Sequence, residues 1–382
     1  MRLLHPDGST VHLAYCTNVH PAEDLAGIVG QLDAYAVPVR AELEVGVLGI
    51  GLWLAAPVAA QLAADPAARA GLRARLDERG LEVVTLNGFP YEAFQAPVVK
   101  HAVYSPDWAT PERVAYTLDL ATVLADLLPD GAQGSISTLP LAWRDPWSSE
   151  REEAVGESLR RLERGLSAHG GRIRVAFEPE PGCIVESTRH ATHLLADVDT
   201  DLLGICLDLA HLACGWEDPA QALARLAHAG LPVVKVQVSA ALQVDDPTHP
   251  AIGQYVEPRF LHQVSNAAGG RTDDLPQALQ EGMPGPWRVH YHVPVHADPQ
   301  PPLRSTVPVL ADALRELLAG AAPLSHHFEV ETYTWGVLPA AQRPRTPADL
   351  AAGIAAELRW TRDLLGSLGL RSAPEHLPVA TA

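Results

Sequence analysis

Apolar residues along this chain follow two alternating rhythms. Short runs rich in β-branched and other apolar residues recur, and between them lie longer Ala-, Leu- and Arg-rich stretches with apolar positions three and four apart. The strand-like runs are VHLAYC (11–16), EVGVLGIGL (44–52), LEVVTLN (81–87), GSISTL (134–139), IRVAFE (173–178), GICLDL (204–209), PVVKVQVS (232–239) and HHFEVET (326–332). Segments such as PVAAQLAADPAARAGLRARLDERG (57–80) and REEAVGESLRRLERGLSAHGG (151–171) carry the helical spacing, and the second ends in a Gly pair suited to a C-cap. Strand, helix, strand, helix predicts a parallel sheet with helical crossovers. Eight such units predict a closed (β/α)8 TIM barrel of the α/β class in preference to an open sheet.

One stretch breaks the rhythm. From 240 to 325 the chain is far longer than one crossover helix requires, and it contains a ninth strand-like run, WRVHYHVPVH (287–296). We read about 240–300 as an insertion over the barrel mouth, between strands 7 and 8. No Gly-, Ser- or charge-rich linker interrupts the chain, so residues 1–370 are expected to form one domain, with 371–382 a frayed tail.

Composition narrows the partners. The 382 residues are 47% hydrophobic and 19% charged, and 46 Asp and Glu against 28 Lys and Arg leave a formal net charge of −18. That balance repels phosphate backbones and anionic lipid surfaces, so neither nucleic acid nor a membrane surface is an expected partner. A small-molecule metabolite is. The four cysteines form no CxxC pair, which fits reduced, packed thiols. MRLLHPDGSTVHLAYC lacks a long apolar leader segment, and no run of 18 apolar residues spans a bilayer, so a cytoplasmic protein is expected.

In a barrel the chemistry sits at the C-terminal ends of the strands. Polar residues concentrate there: Asn18, His20 and Glu23 after the first strand, Asn87 and Tyr91 after the third, Glu178 and Glu180 after the fifth. Asp208 and His211 follow the sixth, Lys235, Gln237 and Ser239 ride on the seventh, and Glu329 and Glu331 end the eighth. The DxxH pair Asp208/His211 can aim a carboxylate and an imidazole at one cation, or Asp208 can serve as a helix N-cap. In FEPEPG, Glu178 ends the apolar run and is assigned inward, with Glu180 in a supporting role. Glu331 lies nearer the mouth than Glu329 and is preferred. HYHVPVH places His290, His292 and His296 on one alternating face, either as solvated histidines or as ligands, with His292 the first choice. Lys235 is expected to pair with Glu178 or Asp208, or to form a Schiff base.

With those residues placed, the chain resembles the xylose-isomerase-like TIM barrels of the sugar isomerase and epimerase superfamily. More narrowly, YCTNVHPAE, TLNGFPYEAF, VKHAVYSPDW, FEPEPG, CLDLAH, HYHVPVH and EVETYTW look like the EboE-type metabolite-traffic proteins. The superfamily resemblance implies a divalent metal (Mn, Zn, Co or Mg) at the mouth, held by Glu178, Asp208 and Glu331, with His211 a substrate-binding histidine. Where the superfamily carries a strand-seven histidine this chain has Gln237, whose amide oxygen is a weaker candidate ligand, with His292 from the insertion as a further candidate in its place. The narrower likeness implies a role in processing or trafficking a metabolite precursor, with partner proteins from the same gene cluster.

The chemistry implied is proton transfer beside a carbonyl. Glu178 and Glu331 take and return the proton, and His20, Asn87, His211 and Lys235 bind substrate. That describes a metal-dependent isomerase or epimerase of a small hydroxy-carbonyl metabolite. A non-catalytic carrier barrel is the alternative, and an abasic-site endonuclease is disfavoured by the charge.

Overall fold

The apolar runs become strands buried on both faces, as expected of a parallel sheet wrapped in helices. A computed structural model describes residues 1–373. Its strands in chain order are β1 (Arg2–Leu4), β2 (Thr10–Cys16), β3 (Leu48–Trp53), β4 (Leu81–Asn87), β5 (Gly134–Thr138), β6 (Ile173–Phe177), β7 (Leu203–Asp208), β8 (Val233–Val238), β9 (Ala241–Val244), β10 (Val264–Asn266), β11 (Arg271–Thr272), β12 (Trp287–His292), β13 (Arg304–Ser305), β14 (His327–Val330) and β15 (Arg371–Ser372). Strands β2 to β8 pair in parallel in sequence order, and β14 pairs with both β8 and β2. This closes an eight-stranded (β/α)8 barrel.

The remaining strands lie outside the barrel wall. β1 runs antiparallel to β2, and β15 antiparallel to β1. The chain through 373 is therefore not frayed as the sequence pattern led us to expect: Ser372 pairs with Leu3, and Ala373 N donates to the Arg2 carbonyl. The rest of the expected tail lies outside the described residues. The insertion folds as a second sheet, in the order β11-β10-β12-β9-β13, with β12 central and antiparallel to β9 and β10.

Two boundaries differ from the pattern for local reasons. The stretch 57–80 forms two helices, Ala56–Ala64 and Pro66–Glu78, broken where Asp65 leaves helical geometry and caps the second by accepting from Ala67 N and Ala68 N. Residues 44–47 lie outside β3, and Glu44 adopts a positive φ of 53° in the turn before it.

Inside the barrel, below the mouth, Lys235 of β8 is fully buried. Its Nζ lies 2.5 Å from Glu329 Oε2 and donates to Ser137 Oγ at 3.2 Å. Lys235 thus pairs with Glu329, not with Glu178 or Asp208. In a parallel barrel, residues of neighbouring strands fall into layers, and this pair occupies a layer beneath the mouth. Burial works against the Lys235 charge, and the adjacent Glu329 carboxylate more than offsets it, raising the pKa. Gly51 makes room: a methyl group there would overlap Glu329 Oε1.

Removing one member of such a pair leaves the other charge uncompensated in a dry interior. Lys235→Met is expected to cost about 3–5 kcal/mol of stability in denaturant unfolding, with much of the loss recovered in Lys235→Met/Glu329→Leu. A single-variant loss below about 1 kcal/mol would contradict this account of the pair.

Candidate active site at the barrel mouth

Several barrel strands lead into a polar residue that faces a common space. Asp208 closes β7 and also starts the helix Leu209–Cys214, so the two expectations for DxxH prove compatible. Its Oδ1 caps the helix by accepting from His211 N at 2.8 Å and takes a second bond from Ser239 Oγ at 2.8 Å. Its Oδ2 is buried without a partner and lies 3.9 Å from His292 Nε2.

Around Asp208 the other groups converge. Ligand-capable atoms of Glu178, Asp208 and His211 lie within 4.8 Å of one another, as do those of Asp208, His292 and Glu331, and those of His211, His290 and His292. Asp208 thus joins Glu178 and Glu331 to one locus. Glu178 Oε2 is also buried without a partner, and so are both polar atoms of the Gln237 amide, which sits beside Asp208 and Glu329 in the strand register. Glu331 Oε1 accepts from two amides, Asn18 Nδ2 at 2.7 Å and Asn87 Nδ2 at 2.8 Å.

The three imidazoles are oriented by carbonyls. His292 Nδ1 meets the Glu331 carbonyl at 2.8 Å and His211 Nδ1 meets the Pro179 carbonyl at 2.9 Å, so each Nδ1 carries the proton. Gln263 Nε2 donates to the Pro181 carbonyl, which fixes the amide with Oε1 toward His290 Nδ1 at 2.7 Å. All three rings therefore present Nε2 lone pairs inward, and those of His211 and His290 stand 2.9 Å apart. Two acceptors at that separation need a proton or a cation between them.

Electrostatics follow from burial. Desolvation, then the neighbouring carboxylates, push Glu178 and Glu331 well above the ordinary carboxyl range. Burial lowers His292, takes His211 down to about 4, and lowers His290 well below its usual value, with the other imidazoles adding to the effect on His290. Crowded acids resist ionising together while neutral imidazoles keep their lone pairs. A divalent cation would relieve both conditions at once.

Not every expected residue arrives. His20 does not line the cavity: its ring stacks on Tyr35 at 4.2 Å, its Nε2 meets Tyr15 OH at 3.2 Å, and burial holds its pKa near 3. Lys235 lies below the mouth, as described. His296 sits beside a separate cavity with Trp335. Asn87 lines the mouth, but its amide N–H is engaged by Glu331. His290 joins the site from the same face as His292 in the i,i+2 run, and Asn18 does so from the 3-10 turn Thr17–Val19 after the first strand, both among the polar positions read from sequence. Tyr104, at the end of the 3-10 turn Lys100–Tyr104, and Gln263, in a loop, were not singled out, because no periodicity marks them. Glu180 accepts from Tyr104 OH at 2.6 Å, and burial lifts its pKa to about 8.

Asn18, Asn87, Glu178, Glu180, His211, His290 and Glu331 line a funnel at the mouth. Its polar floor carries Glu178, Glu331, His211 and His290. A family model described as xylose isomerase-like TIM barrel matches residues 39–262, more than half of the chain. The chain belongs to this family. Solved xylose-isomerase-like barrels share the architecture: a D-tagatose 3-epimerase-like protein (12% identity, TM-score 0.52, covering 94% of this chain and 98% of that one) and the IolI protein with a zinc atom (13%, 0.53, 94% and 99%). A xylose isomerase-like TIM barrel protein from Mycobacterium smegmatis in complex with magnesium is similar at 14% identity and TM-score 0.51, covering 94% and 97%. At such identities the likeness carries the fold. No curated protein matches the sequence. Among the described residues, no helix is long and apolar enough to cross a membrane.

The insertion is clipped to this xylose isomerase-like barrel by Glu357 of the helix Pro347–Ser367. Its Oε1 accepts from Val295 N at 3.1 Å and Thr332 Oγ1 at 2.6 Å, and its Oε2 from Trp335 Nε1 at 3.1 Å. Burial raises its pKa from 4.5 to about 7. The folded chain then keeps a proton that the unfolded chain has released. This contribution to stability is complete below about pH 4.5 and is lost as pH rises through about 7. Subtracting the stability–pH profile of Glu357→Gln from that of the wild type should isolate a fall of up to about 3 kcal/mol across this window. Parallel profiles would contradict the clip.

Proposed function

We propose that the protein is a metal-dependent isomerase or epimerase acting on a small hydroxy-carbonyl metabolite. One observation carries this reading: buried atoms of Glu178, Asp208, His292 and Gln237 have no hydrogen-bond partner, yet they belong to groups gathered at one mouth. Native interiors satisfy such atoms, so the set fits a cation. Glu178, Asp208, His292 and Glu331 would hold it, with the Gln237 amide oxygen as a further donor. The mixed oxygen and nitrogen set suits Mn, Zn, Co or Mg. The relatives described with magnesium and with zinc support the same reading.

The cation, when bound, would polarise the substrate carbonyl and stabilise charge developing on its oxygen. The chain's own residues handle the proton. Glu331, its Oε1 gripped by Asn18 and Asn87, is held in one orientation, while Glu178 keeps an unengaged oxygen. One carboxylate removes the proton beside the carbonyl and the other returns it. Burial and the neighbouring carboxylates raise both pKa values, which favours proton uptake by either carboxylate. His211 and His290 face substrate hydroxyls across the floor. The likeness to EboE-type motifs would fit this chemistry to the processing or trafficking of a metabolite precursor in the cytoplasm, alongside partner proteins of one gene cluster.

A carrier that binds without turnover is the second reading, and Gln237 at the superfamily's histidine position is the observation in its favour. Two measurements on the purified protein separate them. Elemental analysis should find about one Mn or Zn per chain, and hydroxyacetone in D₂O should take up deuterium beside its carbonyl. Glu178→Gln and Glu331→Gln should each slow that exchange by about 10²–10⁴-fold while the fold survives. Exchange unaffected by both substitutions would exclude the two-carboxylate mechanism. Stoichiometric metal without exchange would favour the carrier.

A further inference from the structure

Above the polar floor the funnel changes character. Its walls come from three separate segments: Phe89, Phe94, Val99 and Val103 from the loop after β4, Phe260 and Leu261 from the insertion, and Tyr333 after β14. Phe94, Phe260 and Tyr333 form one ring cluster, with centroids 5.3, 4.9 and 5.3 Å apart. Most polar groups among these walls are engaged, the Tyr333 hydroxyl and Asn18 Oδ1 excepted. Tyr104 OH donates to Glu180, and the amides of Asn18 and Asn87 serve Glu331. Lys100, the only cation on the lining, pairs with Asp274 at 2.5 Å.

This lining discriminates among hydroxy-carbonyl compounds. A free sugar reaching from the floor into the collar would set most of its hydroxyls against apolar and aromatic walls, at about 1–3 kcal/mol for each one left without a partner. A phosphate in the collar would find no unpaired Lys or Arg on the lining, because Lys100 is held by Asp274. An apolar group gains by leaving water against the aromatic walls. We infer that the substrate is an unphosphorylated compound carrying an apolar substituent, aryl or branched alkyl, which occupies the collar while its hydroxy-carbonyl head rests on the floor. The inference rests on the proton-transfer reading for the identity of the head alone.

Three probes sharing one head group test it: 2-hydroxyacetophenone, hydroxyacetone and dihydroxyacetone phosphate. They are titrated by ligand-observed NMR into the full chain, with and without added Mn²⁺. 2-Hydroxyacetophenone should bind at least about tenfold more tightly than hydroxyacetone, and dihydroxyacetone phosphate more weakly than either. Phe260→Ser should erase most of the aryl preference while leaving Mn²⁺ uptake intact. Val103→Thr, nearly the same shape, should reduce the preference and keeps the test readable if the larger change prevents folding. Equal binding of the aryl and methyl ketones, tightest binding of the phosphate, or an aryl preference untouched in Val103→Thr and any folded Phe260→Ser would overturn the inference. Failure to take up Mn²⁺ would instead count against the metal-dependent reading, because the aryl preference is read independently in the metal-free arm.

Discussion

Three carboxylates held out of water at one end of a barrel constrain everything around them. Glu178, Asp208 and Glu331 come from β-strand ends far apart in sequence, and barrel closure by β14 brings them to one space. Acids this close cannot all ionise without compensation. Part of the compensation is visible as hydrogen bonds: two amides on Glu331, and a backbone N–H with a hydroxyl on Asp208. The remainder, the oxygens of Glu178 and Asp208 without partners, is what a cation would supply.

The surrounding shell has the character of a support for such a centre. Carbonyl oxygens of Glu331, Pro179 and Gln263 take the Nδ1 protons of His292, His211 and His290, which fixes each tautomer and turns each Nε2 inward. Two of these rings come from β12, a strand of the insertion. The insertion is therefore part of the site and not merely a cover. Its anchoring by Glu357, and by Arg288, which stacks at 4.0 Å over Trp216 and donates to the Ala213 carbonyl, governs where His290 and His292 stand.

Much of the architecture was legible because a parallel barrel writes its strands as continuous apolar runs and its chemistry at their C-terminal ends. Glu178, Asp208, His211 and Glu331 were accessible to that logic. His292 was a candidate ligand from the insertion, and it lies beside Asp208 and Glu331. Lys235 was not placed correctly, because its partner depends on layering between strands, and two-residue alternation cannot show which layer of the neighbouring strand it meets. His20 was misjudged for a related reason: a histidine just past a strand end can fold back into the core, and here it stacks on Tyr35. Gln263, Tyr104 and the aromatic collar were invisible because loops carry no period. The two readings of Asp208 were posed as rivals although a carboxylate has two oxygens, one for the cap and one for the site.

The central claim is that Glu178, Asp208, Glu331 and the His292 imidazole share one cation. Zinc K-edge absorption spectroscopy on the zinc-loaded protein addresses it directly. The account predicts a first shell of oxygen and nitrogen at about 2.0–2.2 Å, with the outer-shell scattering of at least one imidazole and no sulfur. A shell containing sulfur, or one of water oxygens alone, would contradict it.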